Sequence, residues 1–273
     1  MTAFFKVSGS GNDFLALAEP AEVPPPERIR AWCRRGVSLG ADGLFILRRA
    51  GGGTAMDYFN SDGHPADLCL NGTRCAAQLA FHLGWAGEAV EVLTGAGSVA
   101  ARRLDPGRVA VEMPVPEAPE ELALEAGGIR HAGYRLRVGV PHFVLVWPEE
   151  LSDAPVRELG AKIRGHAAFG SEGTNVSFVR FPGRRRMEIR TFERGVEDET
   201  LSCGTGVLAG AAAGIASGQA GLPLEVMTQG GFELEVDADP RTGRWLLSGD
   251  ARVIARGELL PGADRETAPP PWT

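Results

Sequence analysis

Two cysteines in this chain stand in matching surroundings. Cys69 opens the run CLNGT (Cys69 to Thr73) and Cys203 opens CGTGV (Cys203 to Val207), and each run leads into an Ala-rich stretch. Alanine-rich segments are good helix formers, so each thiol is expected at a helix N-terminus. There the unsatisfied N–H groups and the helix dipole favour negative charge. A thiol so placed has a lowered pKa, which makes thiolate available near neutral pH. The same N–H groups can hold a carboxylate. Two such thiols on opposite faces of a small anionic molecule form a general base and a general acid. A thiolate removes an α-proton from one face, a thiol returns one to the other, and the stereocentre inverts without a cofactor. The helix N-termini would stabilise the charge that builds on the α-carboxylate.

The pairing of these cysteines follows from a duplication. LCLNGTRCAAQLAFHLGWAGEAVEVLTGAG (Leu68 to Gly97) resembles SCGTGVLAGAAAGIASGQAGLPLEVMTQGG (Ser202 to Gly231) without a gap. Cys69 with Cys203, Gly72 with Gly206, Glu91 with Glu225, Val92 with Val226, Thr94 with Thr228 and Gly97 with Gly231 are each 134 residues apart. Two long units do not make a solenoid, which needs three or more short ones. They predict two halves related by a pseudo-two-fold axis, with Cys69 and Cys203 facing each other.

Each half has the same expected grammar. A period-2 strand comes first, MDYFN (Met56 to Asn60) or MEIRTF (Met187 to Phe192). The cysteine and an Ala-rich helix follow, over Cys75 to Leu83 or Val207 to Ala216, with Gly84 and Gly218 suited to its end. Hairpins VEVLT to VAVEM and LEVMT to WLLSG come next, with turns at LDPGR and ADPRTGR. FLAL, FVLV, LFIL and VSFV read as alternating strands, and second helices are expected near Pro26 to Arg35 and Val156 to Arg164. The Pro-, Glu- and Ala-rich segment Pro114 to Gly128 reads as the boundary. The expected domains are thus 1–117 with Cys69 and 118–262 with Cys203, followed by a loose Pro-rich tail over 263–273. The fold class is mixed α/β (α+β), mostly strands around one central helix in each half.

Composition excludes several classes of function. The chain has 273 residues, 44% hydrophobic and 23% charged, with a net charge of -7. That argues against nucleic acid or an acidic membrane as partner. The basic run Arg184 to Arg186 follows Gly183 and reads as a solvated turn. No stretch approaches the length of a spanning helix, and MTAFFKVSGSG is too short and mixed for a secretory leader, so a cytoplasmic protein is expected. Its four cysteines are then expected as free thiols. Cys33 and Cys75 read as core residues. A lone cysteine near a helix start is ordinarily a small hydrophobe, and it is the repeat that gives Cys69 and Cys203 a shared role. Zinc is disfavoured, since there is no C-x-x-C pair and the histidines are scattered. A Cys69–Cys203 disulfide would be an inactive oxidised form.

Four segments carry a family resemblance. KVSGSGNDF (Lys6 to Phe14), FNSDG (Phe59 to Gly63), CLNGTRC (Cys69 to Cys75) and the run from Glu193 to Gly206 resemble the signatures of diaminopimelate epimerases. The resemblance spans about Lys6 to Leu259, nearly the whole chain. It implies interconversion of LL- and meso-diaminopimelate in lysine and peptidoglycan synthesis, an isomerase reaction without cofactor or metal. It implies two pseudo-symmetric halves, each a strand-rich barrel around a central helix, and a homodimer. Carried over by motif, Cys69 and Cys203 are the catalytic thiols. Asn71, Gly204 and Thr205 would hold the α-carboxylate and amino group, with Leu70 contributing through its backbone. Asn12, Asn60, Asn175 and Arg194 would meet the amino-acid substrate, Arg194 through a bidentate fork on the distal carboxylate. Glu193 and His142 would line the site and help fix the α-amino group. Read without the family, Asn12 and Asn60 are turn-forming asparagines and His142 a packed histidine.

Three positions depart from the family pattern. Leu70 stands where a glycine usually follows the first cysteine, and its side chain must point away. Val140 replaces the asparagine of a G-N-P-H run, and Val cannot hydrogen-bond the distal end of the substrate. Gly43 stands in GADGL where some members carry a glutamine contact. These departures leave open a racemase of the same fold acting on another amino acid. A non-catalytic binding protein of this fold is a third reading, against which the retained cysteine pair counts.

Overall fold

The structure is a computed structural model that describes residues 2–265, so most of the expected tail, from 266 on, lies outside the described residues. It divides into two compact units, Met1–Val109 with Ala251–Thr273, and Ala110–Asp250. This differs from the expected halves in two ways. Segment Pro114 to Gly128 is no linker: strand Glu120–Ala126 lies within it and pairs antiparallel with Ile129–Val138. The chain after Ala251 also leaves the second unit, because strand Arg252–Leu259 pairs with Thr2–Gly9. Ladder hydrogen bonds decide the division, and composition does not report them.

In the first unit, seven strands follow one another in hydrogen-bonded order. They are Arg252–Leu259, Thr2–Gly9, Asn12–Ala18, Gly43–Ala50, Gly53–Asn60, Ala89–Thr94 and Gly97–Asp105. Two neighbouring pairs are parallel, Asn12–Ala18 with Gly43–Ala50 and Gly53–Asn60 with Ala89–Thr94. Parallel neighbours need a crossover, and each crossover here carries a helix, α1 (Pro26–Cys33) and α2 (Leu70–His82). Helix α2 packs against all seven strands. Accordingly Leu70 to Ala77 are buried in succession, with no solvent face.

The second unit repeats this order. Glu120–Ala126, Ile129–Val138, Val140–Val146, Asn175–Gly183, Arg186–Glu193, Leu224–Thr228, Glu233–Ala238 and Trp245–Asp250 are successive neighbours. Its parallel crossovers carry α3 (Val156–Arg164) and α4 (Gly204–Ala216). Helix α4 packs against five of the strands. Strand Arg252–Leu259 of the first unit thus holds the place that Glu120–Ala126 holds in the second.

Four strands depart from the expected alternation. Phe14 to Leu17, Gly43 to Leu47, Phe143 to Leu145 and Asn175 to Val179 are buried at consecutive positions. Both faces are covered: α1 or α3 lies on one side and α2 or α4 on the other. Ile29 of α1, fully buried, packs with Leu15, Leu17, Leu44 and Ile46. Ile163 of α3 packs likewise with Phe143, Val176 and Phe178. Such strands read as continuous apolar runs. The hairpins also differ: Ala89–Thr94 pairs with Gly97–Asp105, and Leu224–Thr228 with Glu233–Ala238, so VAVEM and WLLSG each lie one strand further on. Gly84 and Gly218 end α2 and α4 as expected, at φ of 69° and 74°. Among the described residues no helix is long and apolar enough to cross a membrane.

Candidate active site

Cys69 is the N-cap of α2, with φ -134° and ψ 106°. Extended backbone at an N-cap lets the side chain reach back to the first-turn N–H groups. The Sγ of Cys69 does so, accepting from the Gly72 N–H at 3.4 Å. Cys203 caps α4 with nearly the same backbone, φ -119° and ψ 109°. Its Sγ instead lies 3.5 Å from the Thr205 hydroxyl. Cys203 is buried and Cys69 half-buried, and all four cysteines are free of disulfides. Neither helix carries an acidic residue in its first turn, so nothing there offsets the positive end of the dipole. Cys33 and Cys75 are in the core as expected, and burial pushes the Cys33 thiol up to about 12.

The glycines matched by the repeat have a local reason. A Cβ on Gly206 would lie 3.1 Å from both Ser177 Oγ and Thr191 Oγ1 and 3.3 Å from Cys203 Cβ. A Cβ on Gly72 would meet Cys69 Cβ and Sγ at 3.4 Å. Each glycine keeps the space beside its cysteine.

In the first unit, Asn71 and Asn12 are brought together. Asn71 is buried in the first turn of α2 and donates its Nδ2 to Asn12 Oδ1 at 2.6 Å. Asn12 Nδ2 donates to Asp42 Oδ2 at 3.2 Å. Arg74, the largest fully buried side chain, donates to Asn71 Oδ1 at 2.7 Å and to Ser10 Oγ at 2.8 Å. Asn60 is exposed at the end of its strand, paired in register with Gly43.

In the second unit, Asn175 accepts the Arg194 backbone N–H on its Oδ1 at 2.7 Å. Arg194 Nη1 donates to the Glu172 carbonyl and to Glu172 Oε1, both at 3.3 Å. Glu193 Oε2 accepts from the Thr200 hydroxyl at 2.9 Å. His142 is fully buried, pairs in register with Asn175, and neither ring nitrogen has a hydrogen-bond partner among the described residues. Burial, aided by the charge of Arg194, pushes its pKa down to about 3, so the imidazole is neutral at physiological pH. Gly204 and Thr205 form the first turn of α4.

Several residues escaped the sequence reading. Arg74, Asp42, Thr200 and Glu172 each hold a candidate site residue, and Ser10 holds Arg74. Arg74 sits inside the CLNGTRC motif, and a charge amid Cys75, Ala76 and Ala77 was the available signal. The other four give no local signal.

A family model for diaminopimelate epimerase matches residues 4–118 and 134–253. The chain belongs to the diaminopimelate epimerase family. It is 36% identical to the diaminopimelate epimerase of Aquifex aeolicus, over 94% of this chain and 97% of that one. It is 38% identical to that of Archaeoglobus fulgidus, over 92% and 94%. Among solved structures it resembles a probable proline racemase from Agrobacterium radiobacter, with TM-score 0.72 and 15% identity, covering 98% of this chain and 97% of that one. A PhzF-family phenazine biosynthesis protein of Enterococcus faecalis matches with TM-score 0.71 and 16% identity over 95% and 99%. These structural likenesses show a shared fold.

Two departures from the diaminopimelate epimerase pattern have structural reasons. Leu70 is 2% exposed, so the side chain that stands in place of the family's glycine is buried rather than displayed to solvent. A Cβ on Gly43 would lie 2.6 Å from the Phe59 carbonyl and 2.8 Å from the Tyr58 hydroxyl, so Tyr58 has taken the space a longer side chain would need. Val140 is half-buried, and its side chain carries no hydrogen-bonding group.

Proposed function

We propose that this chain interconverts LL- and meso-diaminopimelate, using the thiols of Cys69 and Cys203 and no cofactor. The observation that carries this reading is the duplicated cysteine N-cap: two helices of matching position in repeated units, each presenting a thiol at its positive end. Membership of the diaminopimelate epimerase family supports the substrate.

In this mechanism one cysteine, as thiolate, takes the α-proton. The other, as thiol, delivers a proton to the opposite face, and the two exchange roles in the reverse direction. The carbanion's charge spreads onto the α-carboxylate. First-turn N–H groups, those of Leu70 and Asn71 on α2 and of Gly204 and Thr205 on α4, stabilise that charge. Neutral His142 can accept a hydrogen bond from the α-ammonium, and Glu193 adds a carboxylate beside it. Arg194, Asn175, Asn60 and Asn12 recognise the polar ends of the substrate.

α-Deuteration tests the reading. The protein is incubated with diaminopimelate in D2O under reducing conditions and deuterium at the α-carbon is followed. Exchange at both stereocentre configurations is expected. Exchange with another amino acid but not with diaminopimelate would move the chain to a racemase of different substrate, and no exchange with any would end the two-thiol reading.

A further inference from the structure

The relay Arg74–Asn71–Asn12–Asp42 has unequal ends. Arginine only donates hydrogen bonds and an ionised carboxylate only accepts them, whereas a carboxamide does either, depending on which way it is turned. Arg74 Nη2 donates to Asn71 Oδ1, Asn71 Nδ2 to Asn12 Oδ1, and Asn12 Nδ2 to Asp42 Oδ2. Two amides have four combined orientations. Turning Asn71 alone sets its NH2 against the guanidinium and its oxygen against the Asn12 oxygen. Turning Asn12 alone sets NH2 against NH2 and oxygen against the Asp42 carboxylate. Turning both repairs the middle contact and leaves the two outer ones repulsive. One orientation of the four satisfies all three contacts, and it is dictated from the ends.

Both ends are themselves secured. Arg74 is fully buried and also donates to Ser10 Oγ at 2.8 Å. Ser10 has φ 51°, a left-handed conformation that a serine seldom adopts, in the turn leading to Asn12. Asp42 accepts the Asp13 backbone N–H at 3.1 Å and Arg35 Nη2 at 2.8 Å.

We propose that Arg74 and Asp42 are positioning residues that fix the amide direction of Asn71 and Asn12, engaging both oxygens within the relay and leaving this corner to recognise an anion through donors. A carboxylate of the substrate is the group such a corner favours. A freely turning amide would offer it an oxygen half the time. The inference rests on the reading of Asn12 and Asn71 as substrate contacts.

Asp42 is the accessible end to test, since its side chain is 38% exposed and its replacement opens no core cavity. Asp42→Ala removes the terminal acceptor. Asp42→Asn keeps an acceptor oxygen that can occupy the Oδ2 position, with its NH2 on the side of Arg35, whose guanidinium Asp13 also holds. In the full chain, Asp42→Ala is expected to raise KM for diaminopimelate roughly tenfold with kcat changed less than about threefold, and Asp42→Asn to restore KM to within about threefold of the parent. A thermal melt accompanies each variant. Unchanged KM in Asp42→Ala would overturn the proposal. So would equal impairment of Asp42→Asn, which would assign the effect to charge, or a loss confined to melting temperature, which would make Asp42 only structural. Absence of diaminopimelate turnover in the parent chain would instead sink the underlying reading, and the relay's role with it.

Discussion

Gly72 donates its backbone N–H to Cys69 Sγ at 3.4 Å, and this bond sits in the first turn of a helix with no acidic residue there. A hydrogen bond to sulfur in that field favours thiolate. Cys69→Ala and Cys203→Ala are each expected to lower the epimerisation rate by about 10² to 10⁴-fold, the range of a lost general acid or base. Steady-state turnover of diaminopimelate measures it. A near-normal rate in either variant would show that one thiol suffices.

The two matched glycines should respond unequally to alanine. Gly206→Ala puts a methyl 3.1 Å from the buried, hydrogen-bonded hydroxyls of Ser177 and Thr191, which have little room to yield. A loss of about 1–3 kcal/mol is expected, together with displacement of Cys203. Gly72→Ala meets its neighbours at ordinary contact distance, 3.4 Å. There the helix-propensity gain of up to about 1 kcal/mol offsets the crowding. Denaturant melts of the two variants give the comparison, and equal destabilisation would contradict it.

His142 predicts a pH dependence of stability. Its pKa is about 3 in the fold, lowered by burial and then by Arg194, against 6.5 for an ordinary histidine. Below pH 6.5 the unfolded chain gains a proton that the folded chain refuses. Stability contributed by the neutral ring is therefore complete above 6.5 and lost progressively as pH falls toward about 3. His142→Phe should flatten that part of the profile relative to the parent. Melting curves from pH 7 to pH 4 read it out, and parallel profiles would contradict it. Activity between pH 6 and 8 should show no titration from this ring.

Arg194 is held by its backbone through Asn175 and by one Nη through Glu172. A lysine keeps the charge and loses the planar fork. Arg194→Lys is expected to raise KM for diaminopimelate by about 10 to 100-fold, the worth of a charged hydrogen bond. An unchanged KM would remove Arg194 from distal recognition.

Much of the site was legible because its signals are local. A cysteine before an Ala-rich run, repeated 134 residues on, marks two N-caps, and Gly84 and Gly218 mark where the same helices stop. MDYFN kept its alternation over Met56 to Tyr58 and MEIRTF over Met187 to Thr191, because each lies in a strand with unequally covered faces, while Phe192 is also buried, in the cluster with α3. What was missed depends on partners far along the chain. FLAL and FVLV lost their expected alternation because α1 and α3 cover a face that a single strand cannot report. Asp42 lies in an unremarkable GADG and acquires its role only when Asn12 is brought beside it. Arg74 has a signal in the apolar Cys75, Ala76 and Ala77 beside it, but its role shows only once the helix proves to be buried around it.

The pairing of Thr2–Gly9 with Arg252–Leu259 ties the first strand of the described residues to the last. During synthesis the second unit is complete once Asp250 has emerged, because it is one unbroken stretch. The first unit begins earlier and finishes later. Until Leu259 emerges, one side of Thr2–Gly9 carries bare N–H and C=O groups, a template for other nascent chains. A chain interrupted before the closing strand can build the Cys203 helix in full and still present an open, association-prone edge beneath the Cys69 helix.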